Sequence, residues 1–273
     1  MSECSSRMIV EAEGSGLSLA VACKERDVLV SIVVPFFNEV AFLPRAIGSI
    51  LENPVEGVGR EILICNDGPL DEETIRSHLP PGAVSCTVIL TNFHSKGPGG
   101  ARNTGLDWAQ GDVIAFLDAD DWWMAGKLER QLKLIEEGAS FVVTGYGFDV
   151  GAAVVTPPKS IDSCLEVFTK RGIGTSTVVL TSKLVGETRF SDLRFSQDID
   201  YWYRLAQKEE FRFAAVPMIA VEYHSAGSTK NKLIQLAYTY KVLRRNNIRM
   251  LDKVKVLSSY IYSGLVNHYL KKI

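Results

Sequence analysis

Short apolar runs rich in β-branched residues alternate with helical patterns over the first half of this chain, and polar residues follow each run. The helical pattern is clearest from Phe42 to Leu51, where apolar residues recur every three or four positions. Strands that alternate with helices predict an α/β fold with a mostly parallel sheet flanked by helices. The three clearest runs are Val28 to Val34, Glu61 to Cys65 and Asp112 to Leu117.

Polar residues stand where the predicted strands end. Asn38-Glu39, Asn66-Asp67 and Asp118-Ala119-Asp120 follow the three apolar runs. In sheets of this kind the ligand crevice lies beyond the carboxyl ends of the strands. The sequence therefore predicts that these side chains gather into one binding site.

The rest of the chain is predicted to continue this alternation, between two terminal extensions. Residues 1–27 have no clear period and are expected to form an N-terminal extension. Residues 230–273 carry apolar residues at helical spacing between basic ones, which predicts two basic amphipathic helices. Further strands are expected at 84–90, 140–148 and 153–156, and further helices at 101–109, 127–137 and 198–207.

Charge is distributed unevenly along the 273 residues. Residues 1–229 contain 20 basic and 31 acidic side chains, a net charge of −11, whereas residues 230–273 contain ten basic side chains and one acidic, a net charge of +9. An acidic body is unsuited to nucleic acid, so no nucleic-acid partner is expected. The basic tail suits an anionic surface such as a membrane. The alternatives are a packed helical pair with an ordinary solvated basic face, or a helical pair that docks on the acidic body.

Cysteine spacing and the lack of a long apolar segment suggest a compartment. The five cysteines include no C-x-x-C pair, so neither a disulfide framework nor a zinc site is expected. The apolar stretch from Leu17 to Cys23 is too short to cross a bilayer and does not follow a basic segment. A cytoplasmic protein, in contact with the inner face of the membrane if the tail binds lipid, is the resulting expectation.

The acidic cluster after the third run is the strongest chemical feature. Asp118 and Asp120 can both turn toward one hard divalent cation, and Mg²⁺ or Mn²⁺ prefers such oxygen ligands. The alternative is a solvated turn. The chain contains neither a Walker-type phosphate loop nor a G-x-G-x-x-G after its first strand.

Several segments together resemble the inverting family 2 glycosyltransferases, which have the GT-A nucleotide-sugar-binding fold. This resemblance covers about residues 28–230 and implies a GT-A type, Rossmann-like sheet. It divides the chain into a nucleotide-sugar-binding half, 28–121, and an acceptor-binding half of the same domain, 122–229, followed by the helical extension 230–273. The segments begin at Val30 (VSIVVPFFNE), Glu61 (EILICNDG), Gly99 (GGARNTGL), Gly111 (GDVIAFLDADD) and Gln197 (QDIDYWYRL).

The resemblance implies roles for residues on the donor side. Pro35 with Asn38-Glu39 matches the first nucleotide-contacting loop, and Asp67 matches the aspartate that binds the base, usually uracil. Without the family, Asn38-Glu39 could equally cap a helix and Asp67 could form an Asx turn. Arg102 and Asn103 fall in the family's Ala-Arg-Asn segment, where Arg102 is placed to meet the diphosphate.

The resemblance also implies metal ligands and a catalytic base. Asp120 matches the direct metal ligand, and Asp118 is placed for ribose or metal. His224 resembles a residue that adds a metal or diphosphate contact, although single histidines are more often structural. Asp198 matches the general base, for which the ordinary pKa of an aspartate suffices at neutral pH; Asp200 is the alternative base or a helix-cap carboxylate.

The implied activity is transfer of a sugar from a nucleotide diphosphate donor, with UDP-sugars favoured, to a hydroxyl of a saccharide or lipid-linked saccharide in polysaccharide or glycolipid biosynthesis. Two alternatives remain open. A sugar-1-phosphate nucleotidyltransferase also uses metal-bound aspartates, but its glycine-rich basic motif is absent near the first strand. A non-catalytic nucleotide-sugar-binding or scaffold protein is the other alternative, because Asn66, Pro69 and Gln197 depart from the family pattern.

Overall fold

A parallel sheet forms the first half of the molecule in a computed structural model, which describes residues 28–148, 153–170, 172–224 and 232–259. Its strands lie in the order β3-β2-β1-β4 and all pair in parallel. Helices connect successive strands, as the alternating sequence pattern predicts. The elements are β1 (Val28–Phe36), α1 (Leu43–Leu51), β2 (Val58–Asn66), α2 (Glu72–Ser77), β3 (Thr87–Thr91), α3 (Pro98–Trp108) and β4 (Val113–Phe116).

The second half extends the same sheet with mixed strand directions. From β4 the order continues β8-β6-β9-β5, and β7 pairs with β6. The β4–β8, β8–β6 and β9–β5 pairs are antiparallel, whereas β6 and β9 are parallel. The elements are β5 (Trp122–Trp123), α4 (Lys127–Glu136), β6 (Phe141–Phe148), β7 (Ala153–Val155), α5 (Glu166–Thr169), β8 (Val179–Thr181), α6 (Ser182–Val185), α7 (Gln197–Leu205), β9 (Phe213–Tyr223), α8 (Lys232–Arg245) and a last helix, α9 (250–259).

The α/β fold predicted from sequence is confirmed, but three elements differ. The strand expected at 84–90 begins with a 3₁₀ turn, and β3 starts only at Thr87. The helix expected at 101–109 starts at Pro98, because proline suits the first turn of a helix. The long strand β9 was not predicted: Pro217 lies where its pairing with β6 is interrupted, between Val143 and Gly145, so proline removes no needed backbone hydrogen bond there.

Two apolar layers cover the sheet because alternate residues of each strand point to opposite faces. On one face, Ile32 of β1 packs in a cluster with residues of α1 and α4. On the other face, Val33 shares a cluster with Trp202 of α7 and residues of α3. The sheet is therefore buried on both sides, which leaves the strand ends as the accessible rim.

The C-terminal helices pack on the acidic body. Val242 and Leu243 of α8 and Val256 of α9 are buried in a small cluster with Phe168 and Tyr203. This contact is the docking arrangement that the sequence left as one alternative for the basic tail. None of the helices in the described ranges is long and apolar enough to cross a membrane. The predicted extension 1–27 and the residues after 259 lie outside the described residues.

Candidate active site

An acidic turn follows β4 at the carboxyl end of the parallel sheet. Asp121 donates its backbone N–H to the carbonyl oxygen of Asp118 at 3.0 Å, which closes the turn. Burial, followed by the negative charge of Asp118 and that of Glu39, raises the pKa of Asp120, while His224 lowers it. The tertiary structure thus brings Asp118, Asp120, Glu39 and His224 together from three separate segments.

The carboxylates of this turn suit a divalent cation that also binds a substrate. Among the residues that the structure describes, no group of three or more His, Cys, Asp or Glu side chains is arranged around a common metal position. Mg²⁺ is commonly held by one or two carboxylates together with substrate phosphates, so a pair of carboxylates is enough. Asp118 and Asp120 provide such a pair. Burial has the largest effect in raising the pKa of Asp120, and the negative charge of Asp118, which a cation would offset, raises it further.

Arg102 joins the acidic turn to the opposite side of the site. It is buried in α3, and its Nη2 donates to Asp118 Oδ1 at 2.5 Å. Its charge also lowers the pKa of Asp198, although burial has the larger, opposite effect on that carboxyl. The structure therefore places Arg102 at the predicted site but as the partner of Asp118, rather than as a group open to a diphosphate.

Asp198 lies in the first turn of α7, where the sequence places it. Its Oδ1 accepts the backbone N–H of Ile199 at 2.8 Å, and Ser196, which precedes the helix, has a left-handed backbone with φ of 59°. Such strain in a non-glycine residue is typical of functional sites. Burial raises the pKa of Asp198 above the usual 3.8, while the charge of Arg102 lowers it.

Close packing between α3 and α7 positions Asp198 relative to Arg102. Gln197 is buried against Gly99, where a methyl group would lie 3.0 Å from the carbonyl oxygen of Ser191 and 3.5 Å from Gln197. A side chain at residue 99 would be tight against the Ser191 carbonyl oxygen, so glycine eases the approach of the start of α3 to the segment before α7. Since Gln197 is buried, a glutamate there would carry a charge into a tightly packed contact.

Asp200, the alternative base, is structural. It is fully buried, and its Oδ2 accepts from Arg204 Nη2 at 2.9 Å. Its Oδ1 accepts from Nδ2 of Asn246 at 2.7 Å, which ties α7 to the end of α8. Because Asp200 is fully buried and bonded to protein donors, its carboxylate does not reach an acceptor hydroxyl.

Asp67 follows β2 at the carboxyl end of the parallel sheet and holds a loop there. Its Oδ1 accepts from Asn92 Nδ2 and its Oδ2 from the backbone N–H of Gly97, both at 2.7 Å. The exposed Lys96 lies 3.6 Å from the same carboxylate. Each carboxylate oxygen can accept a second hydrogen bond, so a base N–H could still be bound.

Pro35, Glu39 and Asn103 take more structural positions than the resemblance implies, whereas Asn38 lies exposed in the loop after β1. Pro35 is buried within β1, beside Cys65 of β2, and does not reach an open surface. Glu39 Oε2 accepts the backbone N–H groups of Phe37 and Asn38 at 2.8 and 2.9 Å, so it stabilises the loop after β1. It does not cap α1, whose N-cap residue is Phe42 and whose start has no side-chain cap hydrogen bond.

Asn103 is buried and clamps the segment that precedes α7. Its Nδ2 donates to the carbonyl oxygen of Phe190 at 2.9 Å, and its Oδ1 accepts the backbone N–H of Phe190 at 2.7 Å. Asn103 therefore supports the position of Asp198 instead of contacting a ligand.

Ser176 is a site residue that sequence reasoning missed. It lies in the 3₁₀ turn Thr175–Thr177 before β8, is fully buried, and contacts the acidic turn through its hydroxyl. No periodic pattern or charged motif marks this serine, because its importance comes only from the contact between two distant segments.

Comparison with known proteins agrees with this geometry. Residues 31–183 match the sequence profile of "Glycosyl transferase family 2". The chain is 31% identical over 256 residues to the Escherichia coli protein "UDP-Glc:alpha-D-GlcNAc-diphosphoundecaprenol beta-1,3-glucosyltransferase WfgD", covering 89% of this chain and 96% of that protein. It is also 30% identical over 217 residues to "Amylovoran biosynthesis glycosyltransferase AmsB" of Erwinia amylovora, covering 73% and 70%.

Solved structures share the fold at low identity. S. aureus TarS 1–349 in complex with UDP-GlcNAc superposes with a TM-score of 0.61 at 16% identity, covering 85% of this chain and 71% of that one. The mannosyltransferase PcManGT from Pyrobaculum calidifontis, in complex with GDP-Man and Mn²⁺, gives a TM-score of 0.61 at 15% identity, covering 89% and 71%. The profile spans more than half of the chain, which favours a transferase over the nucleotidyltransferase and scaffold alternatives. The chain belongs to family 2 of the glycosyltransferases and is an enzyme of the GT-A fold.

Proposed function

We propose that this enzyme transfers a hexose from a UDP-sugar to a saccharide hydroxyl, with inversion at the sugar C1. The observation that carries the proposal is that Arg102 pairs with Asp118 of the acidic turn and that the charges of both residues act on Asp198. An inverting transfer needs a charge-neutralising group near the leaving diphosphate and a base on the opposite side of the sugar. The acidic turn supports the first task in this proposal, and Asp198 supports the second.

In the donor site, Asp118 and Asp120 would hold Mg²⁺ or Mn²⁺ as a pair, and His224 would contact the diphosphate. When bound, the cation offsets the negative charge that develops on the leaving diphosphate. Arg102 holds Asp118 in place through their ion pair. Asp67 would bind the base while it holds Gly97 and Asn92, and Asn38 would contribute from the exposed loop after β1.

Asp198 would act as the general base. It takes the proton of the acceptor hydroxyl as that oxygen forms its bond to the sugar C1. The bond between C1 and the diphosphate oxygen breaks at the same time, and its electron pair leaves with UDP. Attack opposite the leaving group inverts the configuration. The raised pKa of Asp198 makes it a stronger base than an ordinary aspartate.

The acceptor is proposed to be a lipid-linked saccharide. WfgD is named for a GlcNAc-diphosphoundecaprenol acceptor and a UDP-Glc donor, and its match extends over nearly its whole length. AmsB is named for the biosynthesis of amylovoran. We assign residues 28–121 to the donor and 122–229 to the acceptor, and we place the reaction in polysaccharide or glycolipid biosynthesis.

Release of UDP in the presence of an acceptor tests the proposal. We expect UDP release from UDP-glucose with a GlcNAc-diphospho-lipid acceptor, loss of the activity in EDTA and recovery with Mn²⁺. Asp198→Asn should lower kcat by about 10²–10⁴-fold, which is the usual contribution of a general base. Asp192→Asn is the matched control, because Asp192 is exposed in the same region and pairs only with Arg245 in the described structure.

Three results would separate the parts of this proposal. No turnover with any UDP-hexose would refute the donor assignment. Full activity in Asp198→Asn would remove that residue from the base role. Retention of the anomeric configuration in the product, determined by NMR, would exclude direct displacement.

The outer face of the C-terminal helices has features of a membrane-binding surface. Leu251 and Val254 of α9 are 77% and 55% exposed, while Val256 of the same helix is buried against the body. The exposed side chains of Arg249 and Lys255 flank this apolar surface. Exposed apolar side chains beside basic ones are typical of helices that lie on anionic membranes. We propose that residues 230–273 bind the inner face of a membrane that carries the acceptor.

Vesicle sedimentation tests this membrane contact. Truncation before α8 would uncover the buried face of the body, so point changes are the better probe. The full chain should sediment with phosphatidylglycerol vesicles but not with phosphatidylcholine vesicles, and Leu251→Glu with Val254→Glu should abolish sedimentation. Val84→Glu, a change at another half-exposed apolar residue, should have no effect. Equal sedimentation of the double variant and the unchanged chain would refute the contact.

A further inference from the structure

Ser176 uses every one of its polar groups to join separate parts of the site. Its hydroxyl accepts the backbone N–H of Asp118 at 3.0 Å and donates to Asp121 Oδ2 at 2.6 Å. Its backbone N–H donates to the Tyr223 hydroxyl at 3.2 Å, and its carbonyl oxygen accepts from Trp123 Nε1 at 3.1 Å. One fully buried serine therefore contacts the acidic turn, β5 and the end of β9.

Asp121 extends this connection to His224. The Asp121 carboxylate is buried, and its Oδ1 accepts the backbone N–H of His224 at 3.3 Å while Oδ2 accepts from Ser176. Both oxygens therefore link the acidic turn to other segments. The His224 imidazole lies against Phe42, with 4.7 Å between ring centres. Asp121 therefore holds the backbone of His224, and Phe42 contacts its ring.

The local sequence makes this contact possible through Gly174. A side chain at residue 174 would collide with the Tyr223 hydroxyl, so glycine lets the 3₁₀ turn approach the end of β9. Because Ser176 is fully buried, its hydroxyl and its backbone N–H need partners within the protein. The contact is therefore specified by a close approach and by hydrogen bonds.

We infer that Ser176 and Asp121 are positioning residues that hold the acidic turn and His224 at a fixed separation, so that a divalent cation with a nucleoside diphosphate meets preorganised ligands. This inference rests on the proposed function. Neither residue touches the substrate, and both act through Asp118, Asp120 and His224. Residues that orient metal ligands commonly change metal affinity 10–100-fold when they are replaced.

Binding of Mn²⁺ in the presence of UDP, followed by electron paramagnetic resonance, tests this role without turnover. Ser176→Ala should weaken the binding at least about 10-fold at a temperature where the variant is fully folded. Thr177→Val is the matched control, because Thr177 is buried in the same turn and its hydroxyl bonds only to the Gly174 carbonyl oxygen. Its Mn²⁺–UDP affinity should stay within twofold of the unchanged protein, even where its Tm falls similarly.

A second variant covers the case in which Ser176→Ala does not fold. Asp121→Asn keeps the size of the side chain and can bond to both Ser176 and His224, but it removes the charge. It should also weaken Mn²⁺–UDP binding by about 10-fold. The carboxylate accepts a hydrogen bond from the Ser176 hydroxyl, whereas an amide nitrogen in its place must donate one.

The outcomes separate this inference from the proposed function. If the unchanged protein does not bind Mn²⁺ with UDP, the proposed donor site is wrong. If it binds, and a folded Ser176→Ala binds as tightly as Thr177→Val, the positioning role is overturned. Should Ser176→Ala be unfolded, unchanged affinity in Asp121→Asn overturns it instead.

Discussion

The guanidinium of Arg102 lies 2.5 Å from Asp118, the first carboxylate of the acidic turn, and its charge also acts on Asp198. Arg102 is 4% exposed, so the ion pair is shielded from water on one side. A carboxylate proposed to hold a cation and a carboxylate proposed to act as a base thus depend on the same buried positive charge.

Arg102→Met should impair both activity and stability. The substitution removes the partner of Asp118 and leaves its partly buried charge uncompensated, a loss of about 2–4 kcal/mol in the free energy of unfolding. We expect kcat/KM for the UDP-sugar to fall about 100-fold. Arg76→Met, which breaks the exposed pair with Glu72, should change the free energy of unfolding by less than about 0.5 kcal/mol. Equal effects of the two substitutions in urea unfolding would contradict the buried role of Arg102.

The pH profile of kcat/KM should reflect the raised pKa of Asp198. A general base must be ionised, so activity should fall as the pH drops through this pKa, which lies above the usual 3.8. Arg102 lowers that pKa, so Arg102→Met should raise it. The residual activity of this variant should therefore begin to fall at a higher pH than the activity of the unchanged enzyme. An acid limb that stays in place in this variant would show that the charge of Arg102 does not reach Asp198.

Asp200→Ala should affect stability and not chemistry. The change leaves Arg204 and Asn246 without their buried partner, which should cost about 3 kcal/mol in the free energy of unfolding. The folded fraction should keep Mn²⁺–UDP binding within twofold, as measured by calorimetry. Normal stability together with lost turnover would instead identify Asp200 as the base.

Lys127→Met should remove a pH dependence of stability. Lys127 is fully buried, its Nζ donates to Gln131 Oε1 at 2.7 Å, and burial lowers its pKa well below 10.5. Between the lowered folded pKa and 10.5, the unfolded chain binds more protons, so this lysine makes stability rise with pH. The slope approaches about 1.4 kcal/mol per pH unit for one proton.

Urea unfolding between pH 7 and 9 measures this effect. The free energy of unfolding of the unchanged protein should increase with pH relative to that of Lys127→Met. Lys133→Met replaces an exposed lysine of the same helix and should keep the slope of the unchanged protein. Parallel curves for Lys127→Met and the unchanged protein would mean that Lys127 titrates normally.

Much of the fold was predictable from local patterns. The apolar runs predicted β1, β2 and β4 because strands buried on both faces need continuous apolar residues. Helical spacing predicted α1 and α4 for a similar reason. The strand β9 could not be predicted this way, because Pro217 interrupts its run, and only the irregular pairing with β6 makes that proline acceptable.

The candidate site was predictable in its residue types but not in its contacts. The positions of Asp118, Asp120 and Asp198 at element ends followed from sequence. The roles of Arg102 and Asn103 did not, because their partners, Asp118 and Phe190, lie 16 and 87 residues away in the chain.

The sequence by itself determined the α/β alternation, the acidic turn after the fourth strand and the family to which the chain belongs. These features depend on residue types at short spacing, and such patterns can be read from the local sequence without knowledge of the fold. Only the tertiary structure decided that Asp200 is a structural partner, that the pKa of Asp198 is raised, and that Ser176 joins the acidic turn to His224. Each of these depends on burial and on hydrogen bonds between distant segments, and such contacts exist only when the whole chain has folded.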